Sequence, residues 1–383
     1  MLVEIHMLQN HAPSNLNRDD TGSPKDCIFG GVKRARISSQ CLKRSIRRSE
    51  VFRDLLKESK LAVRTRRLPE LVRAKALEAG LGEEIADLAA KRATGFGNKD
   101  GTEQKSLRTA QTMFLSDADI EAVADVIIEA AKKAGTVKKF EEVKTKELQA
   151  SEKLTTRRPL TPDLALFGRM ITSDAFDDVD AAVQVAHAIS ANKIDHEFDY
   201  YTAVDDLQSG LDDDKGADMI GDIEFNSACF YKYFSIDIAG LFRNLSGGAA
   251  NDDRAKLARE LIPTIIDAFF RAAVFTTPSG KQNSFAAHQL PDAILIEVRP
   301  TRSPVSYANA FVKPVRPRGD SDLVDAAIEA LKTHADQLKK KFSLKAEPRL
   351  WLTTRGQTPE GVVACETLND LTSELRTAIA GGI

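Results

Sequence analysis

The chain has 383 residues, a formal net charge of −2 and 42% hydrophobic residues, the composition of a globular protein that buries a core without disulfides or metals. It contains no run of 18 apolar residues, so we expect no membrane-spanning helix. Its first ten residues, MLVEIHMLQN, lack the basic segment of a secretory signal.

The first 60 residues predict a strand, a loop, a hairpin and a helix. Residues 2–9 alternate and are rich in β-formers, as is typical of a strand. Residues 17–26, NRDDTGSPKD, predict a loop, and a Gly-Gly turn then leads into the extended segment VKRARIS. Ser38 or Ser39 is expected to cap a helix of about twenty residues.

The middle of the chain has the pattern of an inserted helical region. Residues 60–150 show helical periodicity and are bracketed by strand-like sequence. The segment LALFGRMITSD then predicts a strand that ends near Met170, and residues 179–193 predict an amphipathic helix.

The last part of the chain alternates strands and long helices. Between Asp199 and Phe225, β-formers flank an acidic, glycine-bearing centre, which indicates a long hairpin. Further strands are predicted at 227–238 and 292–299, and helices at 254–275, 323–342 and 366–379. Strands far apart in sequence with interspersed helices predict an α+β architecture, with which a ferredoxin-like or RRM-like core is compatible.

Basic residues are concentrated near the N-terminus. Residues 1–69 carry 15 Lys/Arg and 7 Asp/Glu, a balance of +8, whereas the remaining residues have a balance of −10. The segment from Lys25 to Arg48 holds eight cations and a single acid, Asp26. This asymmetry suggests a surface for a polyanion, although a basic stretch can equally be a solvated helix face.

The start of the helix near residue 38 has the features of a phosphate site. Free N–H groups and the positive end of the helix dipole point outward there, and Ser38 adds a hydroxyl. Gln40, Lys43 and Arg47 follow at spacings that place them on one face. Cations at a helix start oppose the dipole, so this local conflict favours a binding function over stability alone.

Signatures of catalysis and of metal binding are missing from the sequence. There is no GxxxxGK[ST], HExxH or GxSxG motif, and the histidines show no metal-ligand spacing. The four cysteines form no CxxC pair, which excludes a zinc knuckle or a thioredoxin-like motif. Four scattered thiols in a chain of this length suggest a reducing compartment and predict the cytoplasm. Asp19, Asp20 and Asp26 suggest a carboxylate group for a metal, but aspartates in such loops more often form turns. We therefore expect no metal and no cofactor.

Four blocks of sequence, in order, resemble one protein family. The first is HMLQNHAPSNLNRDDTGSPKDCIFGGVKRARISSQCLKRSIR, and the second is LFGRMITSD. The third is VAHAISANKIDHEFDYYTAVDDLQ followed by MIGDIEFNSACFYKY, and the fourth is GKQNSFAAH with YANAFVKPV. Together they resemble the CasC family, the crRNA-binding backbone of the type I-E CRISPR Cascade complex.

The resemblance implies a hand-shaped subunit with an RRM-like palm, a helical fingers domain and a β-hairpin thumb. The implied parts are palm 1–59, fingers 60–165, palm 166–192, thumb 193–225 and palm 226–383. The acidic centre of the thumb is expected to face solvent or a basic patch on the next subunit.

The resemblance also implies an RNA-binding site, residue by residue. The palm residues that would hold crRNA phosphates are Lys25, Ser38, Gln40, Lys43 and Arg47. Arg169 and Met170 correspond to the palm site that packs against bases at a kink. Tyr201 and Ile220 correspond to thumb contacts around a displaced base.

The implied role is non-catalytic, in antiviral defence. The implied partners are crRNA, the target DNA strand paired to the guide, further copies of the chain in a head-to-tail array, and the large, small, 5′-handle-binding and crRNA-processing Cascade subunits, with no membrane. Related backbone subunits of type III complexes cut target RNA with a loop aspartate, and Asp26 lies in a comparable loop. A metal-dependent ribonuclease using Asp26 is therefore the alternative, and a solitary RNA-binding protein is a third hypothesis.

Overall fold

The computed structural model describes residues 1–155, 158–203, 219–249, 251–356 and 358–382. The chain divides into two compact units. Unit 1 consists of Met1–Phe52, Gln184–Asp237 and Asp267–Ile383, and unit 2 consists of Arg53–Val183 and Ile238–Ile266. No helix in the described residues has the length and apolar character needed to cross a membrane.

The strands and helices follow one another along the whole chain. The strands are β1 (Leu2–Ser14), β2 (Asp26–Phe29), β3 (Val32–Ile37), β4 (Val63–Thr65), β5 (Met113–Leu115), β6 (Val183–Val185), β7 (Ala188–Ser190), β8 (Glu197–Ala203), β9 (Met219–Asp237), β10 (Ala293–Arg299), β11 (Arg349–Thr353) and β12 (Val363–Ala364). The helices are α1 (Ser39–Arg48), α2 (Glu50–Leu55), α3 (Leu68–Glu78), α4 (Glu83–Thr94), α5 (Asp117–Ala134), α6 (Val137–Glu141), α7 (Thr145–Gln149), α8 (Glu152–Thr155), α9 (Pro162–Phe167), α10 (Ile238–Ser246), α11 (Asp253–Phe275), α12 (Gln282–Phe285), α13 (Leu323–Phe342) and α14 (Leu368–Ala380).

One large sheet forms the framework of unit 1. Its strands lie in the order β12-β11-β10-β1-β9-β7-β3-β2, and β6 and β8 also pair with β9. The predicted first strand is confirmed and extends to Ser14. It is central and antiparallel to both neighbours, so that Ile5 lies opposite Phe234 on β9 and Ile296 on β10. Because both faces of β1 are covered, nearly every residue along it is buried.

The turn between β2 and β3 requires glycine. Gly30 and Gly31 both have positive φ angles, +61° and +78°, a region that glycine adopts without steric cost. A Cβ on Gly30 would lie 1.8 Å from the carbonyl oxygen of Val312. The hairpin therefore packs directly on the backbone at Val312, and only a residue without a side chain fits.

The predicted hairpin near residues 199–225 is present as β8 and the first part of β9. The two strands are antiparallel, with Tyr201 opposite Gly221 and Thr202 opposite Ile220. Its acidic centre, residues 204–218, lies outside the described residues.

A buried ionic network holds the segment that follows β10. Arg299 donates to the carboxylates of Glu4 and Glu297, and the Tyr307 hydroxyl donates to Glu297 Oε2 at 2.7 Å. The N–H of Val305 donates to Glu4 Oε1 at 2.7 Å. Since buried charges are stable only when paired and hydrogen-bonded, this network fixes residues 305–307 against the sheet.

The apolar core of unit 1 lies between the sheet and α13. Leu331 on the helix packs with Leu8, Leu295 and Trp351 from three neighbouring strands, and Phe311 closes the same cluster. This packing covers one face of the sheet. The predicted strands at 227–238 and 292–299 and the predicted helices at 323–342 and 366–379 are confirmed.

Unit 2 is mainly helical, as the sequence predicts for residues 60–150. Helices α3 to α8 surround a core that includes Val72, Phe96, Ile127 and Phe140. The short strands β4 and β5 form a separate antiparallel pair. The α+β prediction with a helical insertion is therefore confirmed.

Three local predictions are wrong. The segment predicted as a strand ending near Met170 begins with α9, because Thr161 precedes a proline in the first turn and Gly168 ends the helix with φ +74°. Residues 179–193 form β6 and β7 instead of a helix, because their alternating apolar residues pair with β9. The helix after Ser38 stops at Arg48, where Ser49 ends α1 and its hydroxyl accepts the N–H of Phe52 in α2.

Candidate nucleic-acid interface

The N-terminus of α1 presents polar and basic groups to solvent. Ser38 is the N-cap, and its hydroxyl accepts the Cys41 N–H at 3.3 Å. Gln40 is exposed, and Lys43 and Arg47 are half-buried on the side away from the buried stripe of the helix. The first turn contains no acid, so the positive end of the helix is not neutralised locally.

Asn17 brings Lys25 to the same place. Its side-chain oxygen accepts the Ser38 N–H at 2.8 Å, and its main-chain carbonyl accepts the Lys25 N–H at 2.8 Å. The carbonyl of Lys25 in turn accepts the Arg36 N–H at 2.9 Å. These bonds hold the loop between the start of α1 and β3, so Lys25, Ser38, Gln40, Lys43 and Arg47 form one basic corner of unit 1, here called the α1 corner. Asn17 lies in the first resembling block but was not predicted as a site residue.

Arg34 is fully buried and serves the fold, although it belongs to the basic segment of the sequence. Its guanidinium donates to four main-chain carbonyls, those of Ser190 (2.8 Å), Ala191 (2.9 Å), Phe311 (2.6 Å) and Val312 (3.1 Å). A side chain with its donors used in this way cannot contact phosphate. Instead it fastens the β2–β3 hairpin to the chain around residue 311.

The segment that follows Val312 carries three cations that were not predicted as site residues. Lys313, Arg316 and Arg318 are exposed and lie along a groove of about 1170 Å³ beside α13. Within the described residues none of the three forms an ion pair. The sequence signal was the run KPVRPR, in which cations alternate with prolines and no acid intervenes.

Two of the three loop aspartates, Asp19 and Asp26, are engaged in structural contacts. Asp19 accepts the Thr21 hydroxyl at 2.7 Å and the N–H groups of Thr21 and Ser23, and these bonds lower the pKa of its carboxyl group. Asp26 lies 3.2 Å from Lys33 Nζ and 3.4 Å from His196 Nε2. This agrees with the interpretation of Asp19 as a turn former.

One cluster among the described residues has metal-ligand spacing, and it does not fit a metal. It consists of Glu4, His6 and Glu297, all buried. Both carboxylates already pair with Arg299, and burial lowers the pKa of His6 to about 4, so the imidazole is neutral. The arginine supplies the positive charge that a cation would bring.

Unit 2 contributes the exposed residue Met170. Its side chain is 91% exposed and so presents apolar surface to solvent. Arg169 is buried, donates to Asp119 Oδ2 at 2.8 Å and makes two bonds to the carbonyl of Asp177. Arg169 therefore anchors the segment through Asp119 and Asp177, and its predicted place beside the bases stays a prediction.

The β8–β9 hairpin carries an aromatic surface. Phe198 and Tyr200 are 64% and 75% exposed and lie on one face of β8, since side chains two residues apart share a face. Tyr201 is 40% exposed on the other face, where its ring covers Gly221 of the paired strand. The side chain of Ile220 is outside the described part of the chain.

Comparison with known proteins identifies the relatives of this chain. The family described as CT1975-like protein matches residues 3–375. The chain belongs to the CT1975-like family of Cas proteins. This confirms the resemblance predicted from the four sequence blocks.

Solved structures of similar chains agree along the full length of this member of the CT1975-like family. A chain from a structure described as "CRISPR RNA-guided surveillance complex, pre-nicking" is 29% identical, with a TM-score of 0.81 over 99% of this chain and 100% of that one. A chain from a "CRISPR RNA-guided surveillance complex" is 24% identical, with a TM-score of 0.71 and the same coverage, and shows the likeness of fold. No curated protein matches significantly. The predicted fold, an RRM-like palm with a helical insertion, is confirmed.

Proposed function

We propose that this CT1975-like protein is a non-catalytic backbone subunit that binds crRNA and oligomerises along it in a type I-E CRISPR Cascade surveillance complex. The observation that carries the proposal is the α1 corner, where Asn17 joins Lys25 to the start of a helix without acids in its first turn. The likeness to chains of RNA-guided surveillance complexes supports it. The expected compartment is the cytoplasm.

The chemistry of the α1 corner suits a phosphate backbone and not a particular base. The hydroxyl of Ser38, the amide of Gln40 and the cations at 25, 43 and 47 donate hydrogen bonds or attract anions, whichever bases follow. Contacts of this kind fix a strand in register while its base edges stay free. A guide held in this way can pair with the target DNA strand.

We assign the parts of the hand to the two units. Residues 1–59, 166–192 and 226–383 would form the palm, residues 60–165 the fingers and residues 193–225 the thumb. The thumb and most of the palm belong to unit 1, and the fingers belong to unit 2. Met170, with its neighbour Arg169, would pack against bases at a kink in the guide, and Tyr201 and Ile220 of the thumb would contact a displaced base. Copies would associate head-to-tail, because one surface of each subunit must meet a different surface of the next in such an array. The other Cascade subunits would join this array.

The ribonuclease alternative is not favoured. Metal-assisted cleavage needs several oxygen ligands around one ion, and the metal-spaced cluster in the described residues does not include Asp26. Asp26 instead faces Lys33 and His196.

Coexpression with a guide RNA and the sister subunits tests the proposal. We expect an affinity-tagged chain to purify with small RNA of one length and with several copies of itself, and the complex to capture a complementary DNA strand but not a scrambled one. Light scattering gives the mass of the complex before and after ribonuclease treatment. Recovery of the chain alone and free of RNA from such cells would refute the proposal.

A further inference from the structure

An exposed histidine lies beside the cations of the α1 corner. His187, in the short connection between β6 and β7, is exposed, and its Nδ1 lies 3.1 Å from Nη1 of Arg36. Arg36 also donates through Nε to the carbonyl of Asp26 at 3.1 Å. Lys25 precedes Asp26 and is bonded to Arg36 through the main chain. The side chains of His187 and Arg36 therefore meet, and the positive charge of Lys25 acts on the same imidazole.

The geometry defines the protonation state of this imidazole. Arg36 can only donate, so Nδ1 of His187 must accept and must carry no proton. The charged groups facing the ring are Arg36 on β3 and Lys25 in the preceding loop. Partial burial, Arg36 and Lys25 each lower the pKa of His187. Asp26, the nearest acid in sequence, directs its carboxylate to Lys33 and His196.

A bound phosphate would favour the protonated form of His187 over the neutral form. A protonated His187 would carry a second N–H facing the donor group of Arg36 at 3.1 Å, and an anionic oxygen that accepts from both donors removes this conflict through two charge-assisted hydrogen bonds. A phosphate oxygen provides that acceptor and adds the negative charge that favours the imidazolium form. Binding of the anion and uptake of the proton then stabilise each other.

We propose that His187, Arg36 and Lys25 form a single phosphate-binding cluster that takes up a proton when RNA binds, so that the grip on the guide strengthens as the pH falls. This inference rests on the proposed RNA-binding function and adds to it a residue and a pH dependence. The sign of this pH dependence follows from the uptake of a proton on RNA binding. The protonated form is favoured in the complex, so the added affinity is present below the pKa of the bound state and is lost as the pH rises through it.

The test measures the affinity of the full-length protein for single-stranded oligouridine by fluorescence anisotropy over a salt series, at about pH 5.5 and about pH 8.5. In the wild type the slope of log K against log salt should be steeper at the lower pH by about 0.7, the value of one phosphate contact. In His187→Asn this difference should vanish. His288→Asn is the matched control, because His288 is also an exposed histidine of unit 1 and should leave the difference unchanged.

Proton uptake gives a second measurement. Calorimetric titration in two buffers of different ionisation enthalpy should show uptake of up to about one proton per bound subunit in the wild type near pH 6.5, and none in His187→Gln. Equal pH dependence in the wild type and both His187 variants would overturn the inference and leave the proposed function standing. Failure of the wild type to bind RNA at either pH would instead overturn the proposed function.

Discussion

Replacing Lys43 and Arg47 together by alanine should weaken RNA binding by an amount that depends on salt. Both residues lie off the buried stripe formed by Leu42 and Ile46, and alanine is the best helix former, so the fold should persist. Each lost phosphate contact on a single strand lowers the slope of log K against log salt by about 0.7, so the pair removes about 1.4. Between about 50 and 200 mM salt the wild type should lose about sevenfold more affinity than the variant.

The assay is anisotropy of a labelled oligouridine across that salt range, with thermal unfolding of each protein as a check on the fold. A variant with alanine at Lys340 and Lys341, two exposed positions in the last turn of α13, removes the same charge elsewhere and serves as the control. A double variant that keeps the wild-type slope would remove α1 from the RNA path. An equal loss in the control would show that only net charge matters.

Three further outcomes are expected. Gly30→Ala should destabilise the protein by more than about 2 kcal/mol in urea unfolding, because its Cβ would collide with Val312. Gly31→Ala, which has open space around it at a similar φ, should cost about 1 kcal/mol, and equal costs would refute the packing argument. Asp26→Asn and the wild type should both leave guide-paired RNA intact in the presence of a divalent metal, and metal-dependent cutting by the wild type alone would overturn the scaffold proposal. A variant in which a short glycine linker replaces residues 205–218 should keep the fold but should not form the array on a long guide RNA. Size-exclusion chromatography with light scattering measures the mass of the assembly. If the variant assembles to wild-type size, the thumb is not the element that links the subunits.

The fold was predictable where periodicity and length agree. The helix at 323–342 repeats its apolar residues over five turns. The strand at 292–299 is a short apolar run with three β-branched residues, and its length and composition favour a strand. The segment at 179–193 admits two interpretations, because alanines and valines satisfy both the helical and the alternating pattern. Its structure as β6 and β7 is decided by pairing with β9, a strand distant in sequence.

The helix of the candidate site could be predicted from the sequence, but the buried contacts that hold the hairpin next to it could not. The spacing of Gln40, Lys43 and Arg47 follows from helix geometry alone. Nothing local distinguishes Arg34, which is buried under four carbonyls, from Lys33 beside it, which is exposed. That difference comes from the carbonyls of residues 311–312, which approach the hairpin only in the folded chain.

The anchorage of Arg34 also sets when the α1 corner can form during synthesis. Its four acceptors include the carbonyls of Phe311 and Val312, and β1 receives its partners only with β9 and β10. At a ribosomal rate of 5–20 residues per second, the chain from residue 48 to residue 312 takes about 13 to 50 seconds to make. During that interval the basic N-terminal segment exists without the framework that orders it. The surface proposed to bind RNA is therefore completed only after residue 312 has been synthesised.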